Sequence, residues 1–231
     1  SMARLSTHVL DTAHGKPAAG VRVTTEIGLL VQRLPRDART IGITGSAGKS
    51  TTSAMVHHIL ATSGRPAVLG GNIGGSLLPA LDGEVARARF VVLELSSAML
   101  HWLHAEGLGW SPHVAVVTNV TNNHADWHGS FEHYQQSKRH ILAHQGPGCA
   151  ALLGRGAPDW PAQPGVASRR AGEEVPGILL PGAHNRRNAT LAVHAALAVD
   201  STLTHAQAIA AVKTFAGLPH RLEFVARVGG V

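Results

Sequence analysis

The sequence contains one cysteine, few aromatic residues and no long apolar run. Cys149 alone cannot form an internal disulfide, and the first residues lack the apolar stretch of a secretory signal, so a cytoplasmic location is expected. No apolar run approaches the roughly 20 residues of a membrane helix, which predicts no contact with a membrane. Four phenylalanines, four tryptophans and one tyrosine are too few for both a core and a base-stacking surface, which argues against nucleic acid as a partner.

Lysine is also scarce, because only four lysines accompany 16 arginines in a chain of net charge +6. The charges are scattered, which favours a nucleotide or phosphate site over a polybasic tract that binds DNA. In contrast, 44% of the 231 residues are hydrophobic and 26 are glycine. This composition supports a buried core, and the length suits one large α/β domain with appendages.

Short β-branched runs alternate with glycine-rich turns and helical patterns along the chain. This alternation is typical of βαβ units, so the predicted fold class is α/β, a mostly parallel sheet flanked by helices. Residues 154–176, rich in proline, glycine and arginine, are interpreted as an excursion between strands. Thr204 is the expected N-cap of the last helix. The predicted strands are residues 40–44, 66–69, 90–95, 113–118, 150–153 and 177–180, and the predicted helices are residues 49–62, 131–144, 186–199 and 204–215.

The strongest local signal is IGITGSAGKSTT at residues 41–52, in which an apolar run leads through glycines into a helical pattern. Glycines let the backbone curl around an anion, and the helix N-terminus adds partial positive charge. Lys49 would reach the β- and γ-phosphates of a nucleotide, and the Ser50 hydroxyl would bind Mg²⁺. The loop is a shortened variant of GxxxxGK[ST], because Ile43 stands where the first glycine is expected. The alternative is a glycine turn beside a solvated lysine.

This loop and six further segments, in the same order, resemble the Mur ligases. The resemblance extends from about Val21 to the C-terminus and is closest to the members that join D-glutamate to UDP-N-acetylmuramoyl-L-alanine. It implies a P-loop-containing central domain and ATP-dependent amide formation in peptidoglycan synthesis. The substrate carboxylate would take the γ-phosphoryl group of ATP, and the amine of D-glutamate would attack the acyl phosphate. The segments are GGNIGGSLL (70–78), LELSS (93–97), NVTNNHADWH (119–128), FEHYQQSKRHI (131–141), LPGAHNRRNA (180–189) and GLPHRLE (217–223).

The resemblance also implies roles for particular residues. Lys49, Glu94, His124 and a carbamylated Lys138 would be catalytic, and Asn72 and Ser96 would contact the UDP-muramoyl substrate. Glu94 also suits a metal site on the residues alone, because ligands bind at the carboxyl ends of parallel strands. The implied metal ligands are Ser50, Glu94, His124 and Lys138, and the implied ATP contacts are Gly45, Ser46, Ala47, Gly48, Lys49, Ser50, Thr51, Asn185, Asn188, His220 and Arg221.

Each of these assignments has a plainer alternative. Glu94 would then be a polar residue at a strand end, and Lys138 a lysine on a solvated helix face. His124 would be a loop residue, and Arg221 an exposed charge in a hinge. Asn185 and Asn188, which are three residues apart, would cap a helix instead of contacting ATP.

Some positions depart from the Mur ligase pattern, which puts catalytic competence in doubt. Ala47 replaces the usual asparagine, and Ala183 stands where an arginine is common. Asn122 and Asn123 stand where Glu-Asp usually precedes the histidine, which removes two carboxylates from the metal region. The expected domain map is an appendage at residues 1–23, an ATP-binding central domain at 24–216 and, at 217–231, a hinge toward an absent C-terminal domain.

The first residues show a second resemblance. RLSTHVLDTAHGKPAAGVRV, residues 4–23, resembles the opening strand of transthyretin-like 5-hydroxyisourate hydrolases, in which a histidine at the place of His8 is catalytic. This suggests a chimera with a grafted strand, through which the chain could self-associate. A less favoured function is therefore a hydroxyisourate hydrolase. The departures at Ala47, Asn122 and Asn123 and the absent domains leave open another alternative, a non-catalytic engineered or fused scaffold or binding module.

Overall fold

The computed structural model describes residues 10–11, 16–17, 24–122 and 128–218, and its central feature is a parallel sheet. Near the N-terminus, β1 (Leu10–Asp11) and β2 (Lys16–Pro17) pair antiparallel with each other. His8 and the other residues of 1–23 that do not belong to β1 or β2 lie outside the described residues. The sheet consists of β3 (Arg39–Thr44), β4 (Ala67–Gly71), β5 (Phe90–Glu94), β6 (Val114–Asn119), β7 (Ala150–Gly156) and β8 (Ala167–Arg170).

All neighbouring strands of this sheet are parallel, in the order β4-β5-β3-β6-β7-β8. The predicted α/β class is therefore confirmed, together with five of the six predicted strands. The strand that leads to the phosphate-loop candidate, β3, lies between β5 and β6. Their carboxyl ends meet at one edge of the sheet, which is where open α/β sheets bind ligands.

Helices flank the sheet, and side chains that alternate along each strand divide the core into two. On one face Ile41, Ile43 and Val116 pack against one group of helices, and on the other Leu93 and Val117 pack against a second group. Of the described helices, α2 (Lys49–Thr62), α6 (Ala183–Val199) and α7 (His205–Lys213) cover the first face, and α1 (Glu26–Val31), α3 (Glu84–Arg87), α4 (Ser97–Ala105) and α5 (Phe131–Arg139) lie on the second. Within the described residues, no helix is long and apolar enough to cross a membrane.

Side chains at the helix starts explain several boundaries. Thr204 is the N-cap of α7 and forms a capping box with Gln207, as its sequence position predicts. Ser130 caps α5 by accepting a hydrogen bond from the His133 amide. The helix predicted for residues 131–144 ends earlier, at Arg139, and continues as the 3-10 turn His140–Leu142.

The sixth strand is not where the sequence predicts it. Residues 177–180 form no strand, and β8 lies instead within the segment interpreted as an excursion. The prediction was wrong because Pro176 and Pro181 stand at the two ends of this apolar run, and a proline has no amide proton to donate to a neighbouring strand. The run is apolar because Leu180 packs in the core. All four residues of β8 are exposed, so this edge strand has no apolar alternation. Its backbone pairs with β7, and the Arg170 side chain donates to the Gly154 carbonyl of β7 at 2.7 Å.

One ion pair joins the end of α2 to the connection between α6 and α7. Arg65 donates to the carboxylate of Asp200, which is 4% exposed, and to Thr202 Oγ1 at 3.2 Å. Burial raises the pKa of Asp200, but hydrogen bonds from Arg65 and Thr202 outweigh it and hold the pKa below its usual value. The pair is therefore charged at neutral pH.

Replacing Asp200 by asparagine is expected to destabilise the fold by about 3 kcal/mol, because Arg65 loses its counter-ion in a largely buried place. Urea unfolding at pH 7 measures this change. The matched control is Asp82→Asn at an exposed aspartate, which should change the free energy of unfolding by less than about 0.5 kcal/mol. Equal effects of the two substitutions would contradict a stabilising role of the ion pair.

Candidate functional site

The phosphate-loop candidate connects β3 to α2 at the carboxyl edge of the sheet. Helix α2 begins at Lys49, as predicted, and its N-cap is Gly48. The first amide groups of a helix have no partner within the helix, and the helix dipole places partial positive charge there. The predicted loop, including Ser50 and Thr51 in the first helical turn, therefore has the geometry of an anion site.

Two glycines in this loop are required by their surroundings. Gly45 has a φ of 148°, and a Cβ atom there would lie 1.9 Å from Thr118 Oγ1. Gly48 has a φ of 82°, and a Cβ atom there would lie 2.6 Å from Asn188 Oδ1. Both positive φ angles are strained for residues with a side chain. The loop can therefore lie this close to β6 and α6 only with glycine at these positions.

Polar groups at the end of β6 hold the loop through its backbone. Asn119 Oδ1 accepts from the Ala47 amide at 3.0 Å, and Asn119 Nδ2 donates to the Ala47 carbonyl at 2.9 Å. The Asn119 carbonyl accepts from the Ser46 amide at 2.8 Å, and Thr118 Oγ1 donates to the Ala47 carbonyl at 2.6 Å. The side chain of Ala47 takes no part in these hydrogen bonds. An alanine at this departing position is therefore compatible with an ordered loop.

Two lysine side chains converge on one carbonyl of the loop. Lys49 Nζ donates to the Gly45 carbonyl at 3.1 Å and to the Ser46 carbonyl at 3.3 Å. Lys138 Nζ, which comes from α5, donates to the same Gly45 carbonyl at 2.9 Å. Lys138 is only 2% exposed, so the alternative of a solvated helix face is wrong for it. The convergence places two amines next to the loop and the N-terminus of α2, where an anion could bind.

Burial also changes the chemistry of Lys138. It lowers the pKa of this amine, Lys49 lowers the pKa further by repulsion, and the attraction of Glu94 opposes both, which leaves a pKa of about 7. An ordinary lysine has a pKa of about 10.4. Lys138 therefore spends a large fraction of its time as a neutral amine at physiological pH, and only a neutral amine is nucleophilic.

Glu94 lies at the carboxyl end of β5, beside Ile43 of β3, and is 2% exposed. Its Oε1 accepts from Asn72 Nδ2 at 3.0 Å, whereas its Oε2 is buried and has no hydrogen-bond partner in the described part of the chain. A buried carboxylate oxygen without a partner is costly unless a cation or a donor meets it. The carboxylate therefore fits a Mg²⁺ ligand.

Within the described residues, no three His, Cys, Asp or Glu side chains gather as a set that could hold a metal. This does not conflict with Mg²⁺, because that ion keeps several waters and binds through one or two carboxylates together with phosphate oxygens. The Glu94 carboxylate and the Ser50 hydroxyl are oxygen groups of the kind that Mg²⁺ binds.

The two predicted substrate contacts have local partners. The side chain of Asn72 donates to the Glu94 carboxylate, and the backbone amide of Asn72 donates to the Glu94 carbonyl at 2.9 Å. Ser96 is the N-cap of α4 and accepts from the Met99 amide at 3.1 Å. Asn72 thus orients the carboxylate of Glu94, and Ser96 holds the start of a helix. Their contact with a substrate stays a prediction.

The two predicted nucleotide asparagines differ in their surroundings. Asn188 is 7% exposed and lies against Gly48 of the loop. Asn185 is 2% exposed and donates to the Pro181 carbonyl at 2.8 Å, just before α6 begins. The structure therefore brings Asn188 to the loop. Asn185 instead holds the segment before α6, and it does not cap the helix, because the N-cap is Gly182 and no side chain of the described residues makes a capping hydrogen bond there.

A cavity of about 150 Å³ lies beside the loop, between the ends of β6 and β7 and the start of α6. Asn119 and Asn188 line it and also contact the loop. Arg155, His184 and Arg187 add hydrogen-bond donors to its wall. The cavity and the loop therefore adjoin, and together they could accommodate a phosphorylated ligand larger than a phosphate ion.

Three predicted site residues, His124, His220 and Arg221, lie outside the described residues, as does Asn123. Sequence reasoning also missed residues that the structure brings to the site. Asn119 follows a buried strand and begins the segment NVTNNHADWH, so the rule that ligands bind at strand ends could have identified it. Tyr134, one helical turn before Lys138, had no comparable signal.

Six histidines gather on α4, α5 and the residues next to them. The rings of His104 and His140 stack at 3.7 Å with an interplanar angle of 7°. His128 Nε2 lies 2.9 Å from Ser97 Oγ, and His128 Nδ1 lies 3.0 Å from His133 Nδ1. Burial and repulsion by neighbouring histidines lower the pKa values of His128 and His140 to about 4. The other members of this histidine group are His101 and His144.

Comparisons with known proteins agree with this architecture. A sequence model of the Mur ligase middle domain matches residues 43–163. The UDP-N-acetylmuramoylalanine--D-glutamate ligase of Symbiobacterium thermophilum is 36% identical over 244 residues, covering 92% of this chain and 51% of that protein. The protein of the same name from Cereibacter sphaeroides strain ATCC 17029 is 37% identical over 264 residues, covering 93% and 54%. The chain thus spans about half the length of these curated relatives.

Solved structures show the same fold at lower identity. A crystal structure of MurF from Acinetobacter baumannii superposes with a TM-score of 0.65 at 24% identity, over 85% of this chain and 49% of that one. The structure of FolC from E. coli in complex with DHPP and ADP superposes with a TM-score of 0.60 at 18% identity, over 88% of this chain and 64% of that one.

The histidine group predicts a loss of stability as the pH falls from about 6.5 to about 4. A histidine in the unfolded chain has a pKa of about 6.5, so protonation in this window favours unfolding when the folded pKa is about 4. Each such histidine steepens the fall by up to about 1.4 kcal/mol per pH unit.

Urea unfolding at pH 7, 6 and 5 measures this slope. His140→Gln should flatten it, and the control His205→Gln, at an exposed histidine, should not. The same slope in His140→Gln and in the parent chain would show that His140 titrates normally in the fold.

Proposed function

Because the chain belongs to the Mur ligase family, we propose that it is the ATP- and Mg²⁺-binding central part of an amide-forming ligase of peptidoglycan synthesis. The observation that supports this most directly is the glycine loop at the N-terminus of α2, where Lys49 donates to the Gly45 carbonyl. Phosphoryl transfer to a carboxylate brings two anions together, so its catalysis depends on positioning and on positive charge.

In this proposal the loop and α2 hold the phosphates of ATP. Lys49 leaves the carbonyls of Gly45 and Ser46 and binds the β- and γ-phosphates, and the Ser50 hydroxyl binds Mg²⁺. The nucleoside occupies the adjoining cavity beside Asn188, with Asn185, His220 and Arg221 as further predicted contacts. The lining of this cavity by hydrogen-bond donors supports that orientation.

Glu94 and Lys138 would complete the metal region with His124. Mg²⁺, when bound, neutralises phosphate charge. The neutral amine of Lys138 would add CO₂ to form a carbamate, with its nitrogen bonded to the CO₂ carbon and one proton released. The product is an anion in place of a potential cation, and it supplies oxygen ligands of the kind that Mg²⁺ prefers. The lowered pKa of Lys138 supports this step.

The substrates are proposed from the relatives, whose name includes UDP-N-acetylmuramoylalanine and D-glutamate. A carboxylate oxygen of the first would attack the γ-phosphorus of ATP and release ADP. The amine of D-glutamate would then attack the acyl carbon, lose a proton and expel phosphate. Asn72 donates to the Glu94 carboxylate, and Ser96 follows Glu94 by two residues in the chain, which supports placing the acceptor carboxylate there. The reaction would take place in the cytoplasm.

The proposed unit is residues 24–216, with an appendage at 1–23 and a hinge at 217–231. Regions outside this chain would supply the rest of the binding sites for the muramoyl substrate and the amino acid, because the curated relatives are about twice as long. Self-association through the first strand stays a prediction.

Lys49→Ala is expected to weaken the binding of Mg·ATP at least tenfold, because a hydrogen bond to a charged group contributes roughly 1.5–3 kcal/mol. Isothermal titration of the 231-residue chain measures the dissociation constant, and thermal unfolding checks that the variant is folded. The matched control is Lys213→Ala at an exposed lysine, which should bind as the parent does. Equal binding by the two variants would refute the nucleotide site, and no binding by the parent would favour the non-catalytic module.

Lys138 is expected to carry a carbamate in the presence of bicarbonate. After addition of ¹³C-bicarbonate, the chain should give a carbamate signal in its ¹³C spectrum that Lys138→Met lacks and Lys213→Met retains. The signal should grow as the pH rises from about 6 to about 8, because the amine becomes neutral around pH 7. A signal that persists in Lys138→Met, or that grows only above about pH 9, would contradict the assignment.

A further inference from the structure

Tyr134 contacts both parts of the proposed nucleotide site. It lies on α5 and is 2% exposed. Its hydroxyl oxygen is 2.9 Å from Ser46 Oγ in the phosphate loop, and the centre of its ring is 4.5 Å from Lys138 Nζ. One buried side chain therefore contacts both the loop and the buried lysine, which also meet each other at the Gly45 carbonyl.

The Tyr134 hydroxyl meets Ser46 among other hydrogen-bonding groups. The Thr121 amide donates to Ser46 Oγ at 2.9 Å, and the Thr121 carbonyl, which can only accept, lies 3.1 Å from the same oxygen. Tyr134 is the donor to Ser46 when the single hydroxyl proton of Ser46 goes to that carbonyl, and it is the acceptor when this proton goes to Tyr134. In both arrangements the Tyr134 hydroxyl fixes the loop at the residue that precedes Ala47.

The ring of Tyr134 has a second effect on Lys138. The two residues are four apart on α5, so their side chains lie on one face of the helix. The amine lies over the ring and donates to the Gly45 carbonyl. A displacement of the ring would therefore change both the loop at Ser46 and the reach of Lys138 to Gly45.

We propose that Tyr134 is a positioning residue that couples nucleotide binding at the loop to the placement of Lys138. This inference rests on the proposed function and adds a residue to it. Tyr134 touches no reacting atom in this account. It acts through Ser46 on one side and through Lys138 on the other.

The chain contains a single tyrosine, so [ζ-¹³C]tyrosine labels residue 134 alone and its resonance reports on the hydroxyl. Ser46→Ala should shift this resonance in the nucleotide-free chain, and Mg·ATP should shift it in the parent. The matched control is Ser111→Ala, which removes a hydrogen bond to the His144 amide away from the loop and should leave the resonance in place. An unchanged resonance in Ser46→Ala would overturn the proposal, even if substitutions of Tyr134 prevent folding.

A double-mutant cycle tests the coupling. Tyr134→Phe keeps the ring and removes the hydroxyl, and it should weaken Mg·ATP binding about threefold to tenfold, the effect of one neutral hydrogen bond. In the Ser46→Ala background the same substitution should have no further effect, because its partner is already absent. Tyr134→Phe should also lower the yield of the Lys138 carbamate at a fixed bicarbonate concentration.

The outcomes separate this inference from the proposed function. If Mg·ATP binds and depends on Lys49 but Tyr134→Phe binds as the parent does, the positioning role is overturned and the nucleotide site stands. If the effects of Tyr134→Phe and Ser46→Ala multiply in the double variant, the coupling is likewise overturned. If the parent chain binds no Mg·ATP, both are overturned.

Discussion

The candidate site depends on the position of one peptide carbonyl, that of Gly45. Strand β3 places it between the end of β5, which carries Glu94, and the end of β6, which carries Thr118 and Asn119. Two lysines donate to this oxygen, and a Cβ atom on Gly45 would collide with Thr118 Oγ1. Burying Lys138 is unfavourable for its charged form, and the lowered pKa is the result. The absence of one side chain at Gly45 thus permits the close packing that makes a lysine chemically unusual.

The sequence could predict those parts of the structure that depend on local chemistry. Helix α2 begins at Lys49 as expected, because a strand followed by a glycine loop and Lys-Ser-Thr constrains both boundaries. Glu94 at a strand end was predictable for the same reason. Strand β8 was not, because an edge strand needs only backbone hydrogen bonds, whereas the apolar residues 177–180 serve packing rather than pairing. Tyr134 was equally hidden, since its partner Ser46 is 88 residues away.

Packing decides between the alternative roles of Lys138, Asn185 and Asn188. Lys138 is buried against the loop, which no single-sequence pattern distinguishes from a solvated lysine at the same helical position. Asn185 and Asn188 are three residues apart on α6, a spacing that brings two side chains close together on a helix. Of the two, Asn188 lies against Gly48, whereas Asn185 donates to the Pro181 carbonyl before the helix begins. Which of two similar residues faces a ligand thus depends on how one helix end sits against the sheet, and spacing along a helix cannot determine this.

The edge strand β8 has a consequence for how copies of the chain meet. A strand at the border of a sheet offers free backbone groups that a second molecule can pair with. Here that border contains Arg169 and Arg170 in succession, with all four strand residues exposed. Arg170 is paired with Asp159, but two such borders brought together would still place Arg169 of both copies at the junction, where repulsion would oppose continuous sheet formation. The polar composition that conceals this strand from sequence patterns is thus also its protection against aggregation at that edge.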